Sequence, residues 1–154
     1  MQPLLWLSGL RVYFGVVFVG SLVWEVLHLP LYSIWTAGTL REQAFAAGHC
    51  TLGDLVIAAC ALTLALLLAG VPQWPRDRFW PIATLTVAFG VAYTVFSEWL
   101  NVVVRAAWAY SDLMPIVSVA GSKLGLSPLL QWIVVPGAAF AAMQRVTNQT
   151  EGGQ

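Results

Sequence analysis

Charge is the first thing this sequence is short of. Of its 154 residues only 9% are Asp, Glu, Lys or Arg, while 59% are hydrophobic and the mean hydropathy is +0.78. Soluble domains carry about a quarter charged residues, so an ordinary water-facing globular surface is excluded. Seven basic residues balance seven acidic ones, which leaves no cationic surface for a nucleic acid. Histidine occurs only at positions 28 and 49, too seldom for a tri-histidine zinc site. Cys50 and Cys60 stand ten residues apart; on one helix that is about 15 Å, beyond disulfide reach. Alternating segments of about ten residues, the signature of outer-membrane barrel strands, are missing. So are the glycine-rich phosphate loop, the dinucleotide fingerprint, the nucleophile elbow and the haem-attachment motif.

Apolar residues, by contrast, come in long blocks. Four blocks have spanning length: residues 12–29, 53–71, 79–104 and 128–143. The first has 18 residues, about 27 Å as a helix against a hydrocarbon core of roughly 30 Å. It is longer than the apolar part of a signal peptide, and Pro30-Leu31-Tyr32 is no small-residue cleavage site, so it reads as a retained helix. The expected fold is an all-α membrane protein, a four-transmembrane-helix bundle forming one domain over residues 1–146. The polar residues 147–154 are expected to be a disordered tail. With four spans both termini share a side, together with Arg11, Arg76, Arg78 and Arg145; Arg41, Arg105 and Lys123 lie opposite. The positive-inside rule then places the termini in the cytoplasm and the chain in a bacterial inner membrane. Nothing in the sequence specifies an oligomeric state.

Local signals mark the boundaries. Thr39 and Glu42 have capping-box spacing and Gly48 is a natural helix stop, so residues 39–48 are expected to form a short interfacial helix in the first outer loop. Ser127-Pro128 reads as an N-cap followed by proline at the first helical position. Pro136 falls inside the fourth helix and should kink it.

The informative residues are the polar ones within the apolar blocks. Glu25 and His28 end the first helix, His49, Cys50 and Asp54 begin the second, Glu98 and Asn101 end the third, and Gln131 begins the fourth. All of these ends lie on one side of the membrane, so four segments place their costly groups at one depth. The first block holds eleven Leu, Val and Phe residues, worth roughly 5 kcal/mol of insertion free energy, against about 2.5–3.5 for one ionised group at mid-membrane. Glu25 is therefore tolerable in the membrane, but something specific has to satisfy it.

Spacing shows which groups share a face. Ser21, Glu25 and His28 follow intervals of four and three; Thr94, Glu98, Asn101 and Arg105 follow four, three and four. Each set is one stripe of a helix. SLVWEVLH and TVFSEWLN share a hydroxyl, a glutamate and a leucine at matching places, offset by 73 residues, and the same offset carries Asp54 onto Ser127. A two-plus-two parallel repeat about an axis along the membrane normal would produce this, and it would set Glu25 opposite Glu98.

Glu25-x-x-His28 has the spacing by which helix bundles present carboxylate and imidazole to one metal. With His49, Asp54 and Glu98 it makes a candidate ligand set for a divalent transition metal, zinc or iron, used in catalysis or metal handling. Without metal, Glu25, His28, Glu98 and Asn101 are candidate catalytic groups for acid–base chemistry on an isoprenoid or other lipid. Trp24, Trp99, Tyr110 and Gln131 are candidate walls for an apolar small molecule, the membrane lipid being the other expected partner. A non-catalytic assembly subunit is the third reading. Each residue also has a plainer role: a neutralising His–Glu pair, a salt bridge from Glu98 to Arg105, an Asp54 cap on Thr51, and an aromatic belt.

Overall fold

The computed structural model describes residues 2–70 and 73–152. Five helices organise it: α1 (Gln2–His28), a four-residue α2 (Ile34–Ala37), α3 (Leu40–Ala69), α4 (Phe79–Glu98) and α5 (Leu126–Gly152). A 3₁₀ turn, Leu29–Leu31, follows α1, and a π-helical turn, Trp99–Val104, extends α4. Among the described residues four helices are long and apolar enough to cross a membrane: Trp6–Leu31, Leu40–Ala69, Phe79–Val104 and Leu126–Asn148. The protein is a small multi-pass integral membrane protein on this pattern. Its surface says the same, since Leu67, Leu68 and Val56 are 75%, 66% and 64% exposed, a tolerable arrangement only against lipid.

The bundle is a ring in which α1 packs on α3 and α5, and α4 packs on the same two. What faces inward is small or polar rather than large and apolar. On α3 the buried positions Ala47, Thr51, Asp54, Ala58, Ala61 and Ala65 repeat at alternating intervals of four and three, a continuous seam of small residues that lets neighbouring backbones approach. On the half of the bundle near the termini the core is apolar, built from Tyr13, Val17, Leu62, Ile82, Phe140 and Met143. Toward the other end it becomes polar.

The connection between the first two spans differs from expectation. Thr39 and Glu42 do form a capping box, with Thr39 N–H donating to Glu42 Oε2 at 2.7 Å, but Gly48 stops nothing. Residues 40–48 are the first turns of the 30-residue α3, and no separate interfacial helix exists there. The reason is phase: the buried seam of α3 begins at Gln43 and Ala47 and runs unbroken to Ala65, so ending the helix at Gly48 would throw Thr51 and Asp54 off the packed face. A glycine inside a helix costs only about 1 kcal/mol, less than that loss.

α5 likewise continues beyond residue 143, through the polar stretch from Thr147 to Gly152; residues 153–154 lie outside the described ones. Before it, Ile116–Val119 (β1) and Ser122–Gly125 (β2) form an antiparallel hairpin that the sequence reading does not contain. Its two-residue turn, Ala120-Gly121, has φ of 48° and 82°, the left-handed pair that matches strand twist.

Gly90 is the tightest point of the seam. A Cβ there would lie 2.0 Å from Cε3 of Trp132, a side chain only 4% exposed. Gly90→Ala is therefore expected to lower stability in detergent by roughly 1–3 kcal/mol through overpacking. Gly15→Ala, inside α1 with a Cβ that meets nothing within 4 Å, should keep or slightly raise the thermal midpoint. Equal midpoints for the two variants would show that α4 and α5 do not depend on this contact.

Candidate functional site

The polar end of the bundle contains a directional chain of hydrogen bonds. The Trp24 indole can only donate, and its Nε1–H reaches Ser127 Oγ at 3.2 Å. The hydrogen of Ser127 is then free for His28 Nδ1, 3.1 Å away. A neutral His28 so held carries its own hydrogen on Nε2, which faces Glu25 Oε2 at 3.0 Å. From the other side, Gln131 Nε2 donates to Glu25 Oε1 at 3.2 Å and to Asp54 Oδ2 at 2.7 Å. One amide thus uses both its hydrogens on two carboxylates. Ser21 and the Trp132 indole flank Asp54, and Cys50 lies beside Glu25. Glu25, His28, Asp54, Ser127 and Gln131 are each less than 10% exposed.

Ser127 and Asp54 change roles here. Ser127 is not an N-cap: α5 already begins at Leu126 and the hydroxyl is spent across the bundle. Asp54 is no cap either. Thr51 sits inside α3 and donates to Ala47 O at 2.8 Å, leaving Asp54 to Gln131. Both residue types carry genuine capping signals, and only the tertiary arrangement shows that other partners claim their oxygens.

Glu98 stands on α4, diagonally across from α1. Its carboxylate accepts a short hydrogen bond from the Tyr110 hydroxyl, which itself accepts Gly125 N–H at 2.8 Å. Burial, and then the acceptor Glu98, holds the Tyr110 hydroxyl well above its ordinary pKa, so it remains a donor. Tyr32, raised likewise by burial and then by Glu98, lies between the Glu98 and His28 groups; its ring centroid is 5.3 Å from that of His28 and 5.6 Å from that of Tyr110. The two loops at this end of the bundle are laced together at this point: Ser33 N–H donates to Ala109 O at 2.9 Å, Ser111 N–H to Leu31 O at 2.9 Å, and Ser111 Oγ to Pro30 O at 2.8 Å.

A π-helical turn, Trp99–Val104, follows Glu98 and widens the helix there, and Thr94, Glu98, Asn101 and Arg105 still line one cavity with Glu25 and His28. The Asn101 amide donates to Ser97 O at 2.9 Å. Arg105 forms no ion pair with Glu98; among the described residues the contact within ion-pair distance is His28–Glu25, an ion pair only when His28 is protonated.

A half-open cavity of about 1250 Å³ joins these groups, with Glu25, His28, Asp54, Glu98, Asn101 and Gln131 in its wall. Tyr32, Tyr93, Trp108 and Trp132 supply aromatic lining. His49 reaches only the rim, exposed and stacked on Phe45 with centroids 5.7 Å apart. Trp24 serves as a hydrogen-bond donor rather than a wall, Tyr110 acts through Glu98, and Trp99 is 39% exposed beside Phe96. Among the described residues no three of His, Cys, Asp and Glu stand together as a metal-holding group. The physical reason is visible at Gln131, whose amide occupies the place between Glu25 and Asp54 that a bridging cation would need.

Comparison with protein-family models, with curated proteins and with solved structures finds no match to this chain.

Gln131→Leu is expected to remove the donor shared by Glu25 and Asp54, with a loss of about 1–3 kcal/mol for each acceptor left bare. Thermal unfolding in detergent should show the loss most strongly at neutral and alkaline pH. It should shrink on acidification, because a protonated carboxyl supplies its own hydrogen to its neighbour. Adding Asp54→Asn to Gln131→Leu should recover part of the loss by returning an amide. A Gln131→Leu protein as stable as wild type at every pH would mean that the amide bridge carries no weight.

Proposed function

We propose that this protein is a membrane enzyme that carries out acid–base chemistry on an amphiphile admitted to the cavity. The supporting observation is that titratable groups on diagonal helices, Glu25–His28 on α1 and Glu98 on α4, line one half-open cavity. A substrate between them has a proton acceptor on one wall and a donor on the other, as paired acid–base catalysis requires. His28 is the proton-transferring group of the α1 wall, oriented by Ser127 and Glu25. Glu98 is its counterpart, oriented by Tyr110. Gln131 donates to both Glu25 and Asp54 and holds the two carboxyls in place. The cavity exceeds the roughly 300–1,000 Å³ of ordinary small-molecule sites, which suits a lipid segment.

The internal repeat belongs to the same reading. With α1 and α4 at opposite corners of the ring, a pseudo-twofold along the membrane normal would exchange Glu25 with Glu98. The positive-inside bias sets the termini in the cytoplasm of a bacterial cell and this cavity in the outer-leaflet half of its inner membrane.

Binding and turnover test the proposal separately. Native mass spectrometry of detergent-purified protein is expected to show a co-purifying amphiphile in wild type. Gly53→Trp should exclude it, because Gly53 lines the cavity and its Cβ direction is open. Incubation with a total lipid extract should change one lipid species. His28→Asn or Glu98→Gln should slow that conversion by at least about a hundredfold while bound amphiphile persists. Stoichiometric zinc or iron that disappears in Glu25→Gln would replace this reading with metal chemistry. Absence of both amphiphile and conversion would leave the assembly-subunit reading in its place.

A further inference from the structure

Resting on the reading that the cavity holds an amphiphile, we infer that the head group of that amphiphile is a phosphate-type anion gripped at the rim by Arg41 and Arg105. Both side chains line the cavity and both are exposed, one from the first turn of α3 and the other just past the π-helical end of α4. Neither has an ion-pair partner among the described residues, where His28–Glu25 is the pair that forms. Glu42, the acid nearest Arg41 in that turn, is already committed: its Oε2 accepts Thr39 N–H at 2.7 Å and the Thr39 hydroxyl at 2.8 Å. The capping box thus holds one oxygen of the Glu42 carboxylate on Thr39 rather than on the Arg41 guanidinium.

Depth supports the assignment. Arg105 follows Glu98 by seven residues and Arg41 precedes Asp54 by thirteen, roughly 10 and 20 Å along a helix. The guanidinium groups so fall toward the membrane surface, at the level of lipid phosphates, while the carboxylates fall within the hydrocarbon. The charge pattern then dictates how an amphiphile lies. Its anion is repelled from Glu25, Asp54 and Glu98 and attracted to the rim, and the chain beside the head group comes level with His28 and Glu98. Arginine suits this task because its planar fork meets a phosphate through two parallel hydrogen bonds. Phe45 and Tyr93, cavity-lining residues of α3 and α4, are 72% and 48% exposed, so the cavity reaches the bilayer between those two helices and an acyl or prenyl chain has a way out.

Dodecyl phosphate, dodecanol and inorganic phosphate serve as probes of the full chain in a non-ionic detergent, with affinity read by thermal shift and native mass spectrometry. Wild type is expected to bind dodecyl phosphate at least tenfold more tightly than either of the others. Arg41→Gln and Arg105→Gln should each bring dodecyl phosphate down to the level of dodecanol without weakening dodecanol itself. Rising salt should erode the preference in wild type only. Equal wild-type affinity for the phosphate and the alcohol overturns the inference, as does an undiminished preference in both arginine variants. Inorganic phosphate binding as tightly as dodecyl phosphate would reassign the rim to a free anion. If neither dodecyl phosphate nor dodecanol binds wild type, the amphiphile reading itself fails, and the head-group inference with it.

Discussion

Hydrocarbon offers no hydrogen bonds, and this is the constraint on which the structure turns. Glu25, Asp54 and Glu98 are each more than nine-tenths buried, so every donor they need must come from another part of the chain. The donors come from separate places: His28 on the same helix, Gln131 on α5, and Tyr110 from the second outer loop. Each requirement fixes a piece of architecture. Gln131 can serve Glu25 and Asp54 together only if α1, α3 and α5 meet at one level. Tyr110 can serve Glu98 only if its loop folds back over the bundle, and the pairing of residues 109–111 with residues 31–33 holds it there. The close packing below follows from the same demand, since Trp132 beside Asp54 fits because Gly90 has no side chain.

Much of the fold could be read from the residues because lipid imposes a coarse and reliable code. Spanning length, the Thr39–Glu42 capping box and the convergence of polar groups at one depth all follow from composition and spacing. What escaped were the places where two local signals compete. Gly48 looks like a stop only if the four–three rhythm of α3 is ignored. The hairpin of residues 116–125 did carry a signal, IVSV and SKLG about a two-residue Ala-Gly turn, but it lies between apolar blocks long enough to claim attention. The widening of α4 after Glu98 has no sequence signature at all, and within it the Asn101 amide turns back to Ser97 O.

Within the site, residue types were legible and so was the Glu25–His28 pair, while the pairings between helices were not. Glu25, His28, Asp54, Glu98 and Gln131 were all identifiable as the groups with the most to lose in an apolar setting. Ser127 was hidden by its own chemistry, since a serine before a proline at a helix start is a strong capping pattern. Composition cannot show that one amide with two hydrogens serves two carboxylates, as Gln131 does for Glu25 and Asp54. Hydrogen bonding and coordination make the same demand on composition; they part only in geometry.

The lacing of the two loops at the polar end bears on how the bundle carries load. There the ends of α1, α4 and α5 are joined through residues 30–33, the segment 109–111, and the contact of Tyr110 with both Glu98 and Gly125. The end of α3 is held differently: the Gln43 amide reaches the carbonyls of Ile34, Trp35 and Gly38 at 3.0–3.3 Å. Three helices therefore share one brace at this end, while α3 is tied to the rest through two amides, Gln43 at its first turns and Gln131 at Asp54. In mechanical terms the load on that side of the frame passes through two glutamine side chains.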